Sequence, residues 1–189
     1  MKRLLFVLFA GLVLAGCATH GEDPLAPKTA HSVNLKRYQG TWYELARLPM
    51  YFQRNCAQSE AHYTLKPDGN VGVLNRCLTP EWQWEEAKGT AYPQVPGKTD
   101  KLWVEFDTWF SRLIPGVAKG EYWVLYVSDD YKTAIVGSPS RRYMWILSRT
   151  PTVSADTRED LLSRARQQGY DTTRLIWRTS DKQMAKTSQ

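Results

Sequence analysis

The residue types that support catalysis are few in this sequence and are unsuitably spaced. Three histidines occur in 189 residues, and two of them, His20 and His31, lie near the N-terminus. Glu85 and Glu86 are adjacent, so a strand would direct them to opposite faces, where they cannot act together as acid and base. The sequence contains no Gly-x-Ser-x-Gly elbow, His-Glu-x-x-His pair or phosphate-binding glycine loop. It therefore predicts a protein that is not an enzyme and that needs no metal or other cofactor.

The N-terminal segment has the pattern of an export signal. Lys2 and Arg3 precede an apolar run at residues 4–15, which is too short to cross a bilayer as a helix and is typical of a secretory signal. We predict that residues 1–16 form a removable signal peptide and that residues 17–33, with two prolines and no periodicity, form a flexible tether. Removing the signal lowers the net charge from +6 to +4, too small an excess to indicate nucleic-acid binding.

Two cysteines in the body of the chain are placed so that they could pair. Between Cys56 and Cys77 the sequence reads as strand, turn and strand, with the turn at 68–69. Such a hairpin brings both cysteines to neighbouring strand ends. A disulfide here would stabilise the fold by about 3 kcal/mol through loop closure. Two buried free thiols are the alternative, and a metal pair is disfavoured because no histidine or third cysteine is near.

From residue 41 onward, short β-rich runs alternate with turns. No helices alternate with them, so a parallel sheet is not expected. The sequence predicts an all-β antiparallel meander that closes into an eight-stranded up-and-down barrel or stacks as a sandwich, and closure is favoured because it removes exposed edges. The predicted strands are residues 41–48, 58–65, 70–78, 82–92, 101–107, 121–128, 133–138 and 143–148.

One amphipathic helix follows the strands. Ser154 would cap it, its apolar residues share one face, and Gly169 would end it. A last short strand is expected at residues 174–179, before a polar tail at 180–189. The sequence thus predicts one globular domain, residues 34–179, with the helix packed on the flank of the barrel.

Three short motifs fall at the same end of the predicted barrel. Gly40-x-Trp42 opens the first strand, an Asp-Asp-Tyr turn at 129–131 follows the sixth, and Arg149 comes directly after the eighth. These motifs meet because the first and last strands of a closed meander are neighbours and alternate turns share an end. In order and spacing the set resembles the lipocalin family over residues 35–177. The resemblance is closest to the bacterial outer-membrane lipoprotein lipocalins and more distant to apolipoprotein D.

The resemblance implies a structural role for the first and last of these motifs. Gly40, Trp42 and Arg149 would form a plug at the closed end of the barrel and would not touch ligand. An arginine over a tryptophan ring makes a cation–π contact of about 0.5–2 kcal/mol. We therefore expect these residues to contribute to stability.

The resemblance also implies a membrane anchor. Residues 14–17 resemble a lipobox, so Cys17 would be lipid-modified, with an amide-linked acyl chain such as palmitate, after signal cleavage. Two or more acyl chains make a stable anchor. Ala18 follows the cysteine and favours the outer membrane, with the protein on the periplasmic face. That compartment favours disulfides, which supports the pairing of Cys56 with Cys77.

Side-chain alternation along the strands predicts the lining of the barrel. With Arg149 pointing inward, Glu44 and Ala46 of the first strand should also face the interior. The lining suits an elongated apolar ligand with one polar end, although a core filled by its own side chains is the alternative. The predicted ligand-binding residues are Tyr63, Val73, Val104, Phe106, Tyr122, Val124, Tyr126, Tyr143 and Trp145.

The opposite, open end of the barrel carries basic residues beside apolar ones. Arg54, Arg112, Arg141 and Arg142 lie in the loops expected there. Basic side chains next to exposed apolar ones fit a rim that contacts anionic lipid headgroups, while each arginine taken singly fits a solvated surface.

The sequence and the resemblance together predict a membrane-anchored lipocalin. It would bind a fatty acid or lysophospholipid and store or transport lipids for envelope maintenance. The alternative is an envelope scaffold or assembly lipoprotein with a filled barrel, which would bind a protein partner through an exposed apolar patch near Trp103 and Trp123. A monomer and a homodimer are both compatible with the sequence.

Overall fold

The computed structural model describes residues 25–107 and 119–187. The predicted signal peptide, the predicted acylation site Cys17 and the predicted rim residue Arg112 lie outside these ranges. None of the described helices is long and apolar enough to pass through a membrane.

The elements are α1 (Leu35–Tyr38), β1 (Gly40–Arg47), a 3-10 turn (Tyr51–Gln53), β2 (Gln58–Leu65), β3 (Val71–Leu78), β4 (Trp84–Pro93), β5 (Lys101–Phe106), β6 (Lys119–Val127), β7 (Thr133–Gly137), β8 (Met144–Ser148), α2 (Ala155–Gln167), a 3-10 turn (Thr172–Arg174), β9 (Ile176–Trp177) and α3 (Asp181–Thr187).

The strands β1 to β8 form one closed antiparallel barrel. Each strand from β2 to β7 pairs with the next, and β1 pairs with both β8 and β2, which closes the sheet. The predicted barrel is therefore confirmed and the sandwich is excluded, with every strand within two residues of its predicted bounds. Strand β9 lies outside the barrel, where Trp177 pairs with Ala46 of β1.

Buried apolar residues lie on both sides of the barrel wall. An inner cluster fills the closed end and lines the interior, and it includes Trp42, Val124 and Leu147. An outer cluster lies between the barrel and α2, and it includes Ile146 of β8 and Leu161 of the helix. The two clusters show that the strands are covered by the helix on one flank and enclose a separate interior.

Helix α2 begins and ends as its sequence predicts. Ser154 is the N-cap, and its hydroxyl accepts a hydrogen bond from the backbone N–H of Thr157. Leu161 and Ala165 are almost completely buried against the outer cluster. Gly169, with φ of +84°, follows the last turn in the left-handed conformation that glycine accommodates.

The segments before and after the barrel lie against it. The backbone N–H of Ala30 donates to the carbonyl of Val124 at 2.9 Å, and Val33 is only 3% exposed. Within the described part of the predicted tether, residues 25–33, the backbone is therefore hydrogen-bonded to the rest of the structure. The polar tail contains α3, whose Met184 is also buried.

Cys56 and Cys77 form a disulfide, with their Cα atoms 5.3 Å apart. The β2–β3 hairpin brings them together by turning at Asp68 and Gly69, where Gly69 has φ of +84° and Asp68 accepts a hydrogen bond from the Asn70 N–H. The predicted pairing is confirmed, and the free-thiol and metal alternatives are excluded for this pair. The disulfide ties the loop between β1 and β2 to the end of β3.

Candidate ligand-binding cavity

The closed end of the barrel is sealed by a stacked pair of side chains. Trp42 is fully buried, and its indole N–H donates to the carbonyl of Tyr38 at 2.8 Å. The guanidinium carbon of Arg149 lies 3.9 Å from the centroid of the Trp42 ring. Gly40 has φ of +89°, a backbone conformation that favours glycine, and a Cβ there would lie in contact with the Arg149 guanidinium at 3.4 Å. The predicted contact between Trp42 and Arg149 is present.

A cavity of about 1050 Å³ extends from this sealed end to the open end of the barrel. The described barrel is therefore not filled by its own side chains, and the filled-core alternative is wrong. The middle of the wall is apolar and formed by inward-facing residues of several strands: Ala61, Val71, Val73, Ala87, Ala91, Leu102, Val104, Phe106 and Leu147.

The cavity wall contains seven of the nine residues that the sequence predicted to bind ligand. Val124, an eighth, faces the interior but lies in the packed inner cluster and not on the cavity surface. The seven lining residues are Tyr63, Val73, Val104, Phe106, Tyr122, Tyr143 and Trp145.

The ninth predicted residue, Tyr126, was assigned to the wrong side of the wall. Val124 pairs with Val136 and Tyr126 with Ile135, so Leu125 forms a β-bulge between them. The extra residue reverses the alternation, and Tyr126 packs against the outer cluster. There its ring lies 4.1 Å from the guanidinium of Arg164 on α2. Tyr126 is therefore not a cavity residue.

A second bulge changes the inner face of β1. Glu44 pairs with Leu147 and Ala46 with Ile146, which leaves Leu45 as the extra residue. Ala46 consequently packs in the outer cluster, contrary to its predicted inward position. Glu44 lines the cavity as expected.

A buried polar network lies on the cavity wall toward the open end. The Glu44 carboxylate accepts a hydrogen bond from the Arg47 guanidinium at 2.7 Å, and both side chains are buried. Gln53 donates to Glu44 at 2.9 Å and to the Ser59 hydroxyl at 3.3 Å, and it accepts from the Trp145 indole N–H at 2.9 Å. These hydrogen bonds stabilise a buried ion pair between Glu44 and Arg47 that would be costly to bury without them.

A cluster of three tyrosine hydroxyls lies at the deep end of the cavity, close to the plug. The Tyr122 hydroxyl is 3.0 Å from the hydroxyl of Tyr38 and 3.0 Å from that of Tyr63, and all three residues line the cavity. Burial raises the pKa of Tyr63 to about 12 and raises the pKa values of Tyr38 and Tyr122 as well. The cluster is therefore uncharged at neutral pH and offers neutral hydrogen-bonding groups.

Comparison with known proteins identifies the family. The chain matches the Lipocalin-like domain over residues 33–180. The protein belongs to the lipocalin family. It is 36% identical to the outer membrane lipoprotein Blc of Vibrio cholerae over 93% of this chain and 97% of that protein. It is 39% identical to temperature-induced lipocalin-1 of Arabidopsis thaliana over 76% of this chain and 77% of that one. Insecticyanin from the tobacco hornworm Manduca sexta shares the fold, with a TM-score of 0.64 at 20% identity, covering 83% and 86% of the two chains.

The rim of this lipocalin only partly matches the predicted basic cluster. Arg54 is exposed and lies over the Tyr51 ring at 4.0 Å, and Arg142 is exposed beside Tyr143. Arg141 instead donates to the carbonyl of Gln168 at 2.6 Å, at the end of α2, where a cation interacts favourably with the helix dipole. Arg141 is therefore held by the helix and is not free to bind a headgroup.

Proposed function

We propose that this lipocalin binds a fatty acid or a lysophospholipid inside its barrel and stores or transports lipid for envelope maintenance. The observation that carries the proposal is the cavity of about 1050 Å³ with its apolar middle. Each methylene buried there contributes about 0.8 kcal/mol, so about ten methylenes supply about 8 kcal/mol before the cost of ordering the chain. Because ordering the ligand costs part of this free energy, micromolar affinity requires more than ten buried methylenes or additional contacts to the headgroup.

The proposed ligand enters through the open end of the barrel. Its acyl chain lies against the apolar wall of β2 to β6. Exposed Arg54 and Arg142, together with Arg112, which follows β5 in the sequence, are the proposed contacts for an anionic headgroup that stays at the rim. Arg141 is no longer part of this set because it binds the end of α2.

The proposed location is the periplasmic face of the outer membrane. The Vibrio cholerae relative is named an outer membrane lipoprotein, and its similarity extends over nearly the whole of both chains. Residues 14–17 of this chain have the lipobox pattern, which supports cleavage after residue 16 and acylation of Cys17. Residues 17–24 would then connect the anchor to the barrel.

A binding role is favoured over an enzymatic one by the state of the groups that line the cavity. The Glu44 carboxylate is bound to Arg47 and Gln53, which stabilise its charge and occupy its oxygens. The raised pKa values of the tyrosine hydroxyls keep them protonated. The tyrosine hydroxyls are therefore not prepared to act as bases at neutral pH.

The scaffold alternative was expected to use an apolar patch near Trp103 and Trp123, and the described structure does not favour a patch at this place. Trp123 is only 9% exposed, and the ammonium group of Lys101 lies 4.4 Å from its ring. The ammonium group of Lys119 lies 4.5 Å from the ring of Trp103. These two tryptophans are covered by cationic side chains, which makes this face a poor apolar docking surface.

Calorimetric titration with palmitic acid and with a palmitoyl lysophospholipid tests the proposal. The protein used is residues 17–189 with Cys17→Ser, because the closed barrel, both apolar clusters and the disulfide all lie within residues 25–187. Saturable one-to-one binding is expected for at least one lipid. The absence of binding by both would contradict the proposed function.

A further inference from the structure

The hydroxyl cluster of Tyr38, Tyr63 and Tyr122 has spare hydrogen-bonding capacity. Three hydroxyl groups carry three protons, but the cluster makes only two hydrogen bonds, both through Tyr122. No other acceptor for these hydroxyls is found among the described residues. One proton and several lone pairs therefore remain available on the cavity surface.

The cluster interrupts an otherwise apolar part of the barrel. Tyr63 has Ala61 as its inward neighbour on β2 and pairs with Val73 on β3. Tyr122 pairs with Leu102 on β5. Because a buried polar group costs free energy unless it is hydrogen-bonded, a ligand that reaches this depth is favoured if it brings a polar atom of its own.

The charge beside the cluster favours an acceptor atom. The Arg149 guanidinium stacks on Trp42, and the Trp42 ring lies 4.8 Å from that of Tyr38. This guanidinium donates to the carbonyls of Thr41, Arg37 and Tyr131, and it has no carboxylate partner among the described residues. Its uncompensated positive charge therefore favours a ligand atom with partial negative charge near the hydroxyls.

We propose that the Tyr38–Tyr63–Tyr122 hydroxyl cluster is a deep polar subsite that binds a hydroxyl or carbonyl oxygen at the end of the ligand that enters the barrel first. This inference rests on the proposed function and narrows its ligand class to long-chain lipids with oxygen at both ends, such as an ω-hydroxy fatty acid. Tyr63 is four residues from Ser59 on β2, about 14 Å along the backbone, and Ala61 lies between them on the inner face.

Calorimetric titrations with matched pairs of lipids test this subsite. The probes are saturated fatty acids of 12, 14 and 16 carbons and the ω-hydroxy acid of each length, which together scan the depth of the cavity. The proteins are residues 17–189 with Cys17→Ser, and the same chain with Tyr122→Phe or Tyr63→Phe. Tyr126→Phe, on the outer side of the wall, is the matched control.

For at least one chain length, the ω-hydroxy acid should bind the parent protein at least as tightly as the plain acid. If the deep wall were purely apolar, the added hydroxyl would instead weaken binding. Tyr122→Phe should weaken the ω-hydroxy acid about five- to tenfold and leave the plain acid within twofold. Tyr63→Phe should act in the same direction and keep the Tyr38–Tyr122 hydrogen bond, while Tyr126→Phe should change neither affinity.

Two results would overturn the inference while leaving the proposed function intact. The first is binding of the plain acids with every ω-hydroxy acid at least tenfold weaker. The second is an equal effect of Tyr122→Phe on the two members of each pair, whether no change or an equal loss. Failure of all six probes to bind would overturn the proposed function and this inference together.

Discussion

Arg149 and Trp42 are 107 residues apart in the chain, yet the guanidinium carbon of one lies 3.9 Å from the ring centroid of the other. Closure of the barrel between β1 and β8 creates this contact. The same guanidinium donates to three backbone carbonyls, including those of Thr41 and Arg37 at 2.8 Å. One side chain thus joins the ends of the first and last strands to the segment that covers the closed end.

Replacing Arg149 should therefore destabilise the protein more than it changes ligand selectivity. Arg149→Ala removes a cation–π contact and three charge-assisted hydrogen bonds, so the free energy of unfolding should fall by about 2–4 kcal/mol. Urea denaturation measures the loss, and titration with the two lipids measures selectivity. A variant of full stability that loses binding to one lipid would contradict the plug role of this residue.

The disulfide should contribute about 3 kcal/mol to the free energy of unfolding, because it closes a loop of about 22 residues. The double variant Cys56→Ser, Cys77→Ser should show this loss in urea denaturation. Mass spectrometry of a non-reduced digest of periplasmic protein should recover the peptides containing Cys56 and Cys77 as one linked species. Free thiols at both positions would contradict the pairing.

The bulge at Leu125 places the Tyr126 side chain on the outer side of the barrel wall, and two substitutions by tryptophan test this placement. Tyr126→Trp adds volume on the outer side of the wall and should leave lipid affinity within twofold. Ala91→Trp adds volume inside, since Ala91 is 4% exposed, lines the cavity and pairs with Val71 and Val104. It should weaken lipid binding at least tenfold with the fold retained. Weaker binding in Tyr126→Trp and unchanged binding in Ala91→Trp would reverse this assignment of faces.

The buried tyrosines should make the protein sensitive to alkaline pH. Burial raises the pKa of Tyr63 to about 12, above the ordinary value of 10.0, so the folded state holds this proton longer than the unfolded state does. The resulting stability is fully present below about pH 10 and is lost as the pH rises toward 12, at about 1.4 kcal/mol per pH unit for each such tyrosine. Urea denaturation across this range should show the fall, and Tyr63→Phe should reduce its slope. An unchanged slope in that variant would contradict the assignment.

The sequence was sufficient to predict the strands and their order. Alternating apolar residues and turn residues such as Asp68 and Gly69 are local signals. An antiparallel meander of eight strands can form a closed sheet in few ways. The two bulges could not be predicted in this way, because a bulge depends on how one strand pairs with its neighbour. Each bulge moved a residue to the other face, Ala46 on β1 and Tyr126 on β6.

Glu44, Tyr63 and Tyr122 were predicted to face the interior, but other members of the polar sites were missed for a related reason. Tyr38 lies in a helix of four residues and Gln53 in a 3-10 turn of three, both too short for a periodic signal. Arg47 occupies an inward position only because of the bulge at Leu45. Arg141 was recognised as basic, but its partner, the carbonyl of Gln168, is set by where α2 ends in space. Tertiary contacts decided all of these positions.

The most direct test of lipid binding inside the barrel is quenching of Trp145 fluorescence by a brominated fatty acid. Trp145 lines the cavity, as do Trp84 and Trp103, whereas Trp177 lies outside the barrel under Arg158. At saturating lipid, we expect a quenched component that is reduced in Trp145→Phe and persists in Trp177→Phe. Quenching that is unaffected by Trp145→Phe, or that never saturates, would contradict the claim that this lipocalin holds lipid inside its barrel.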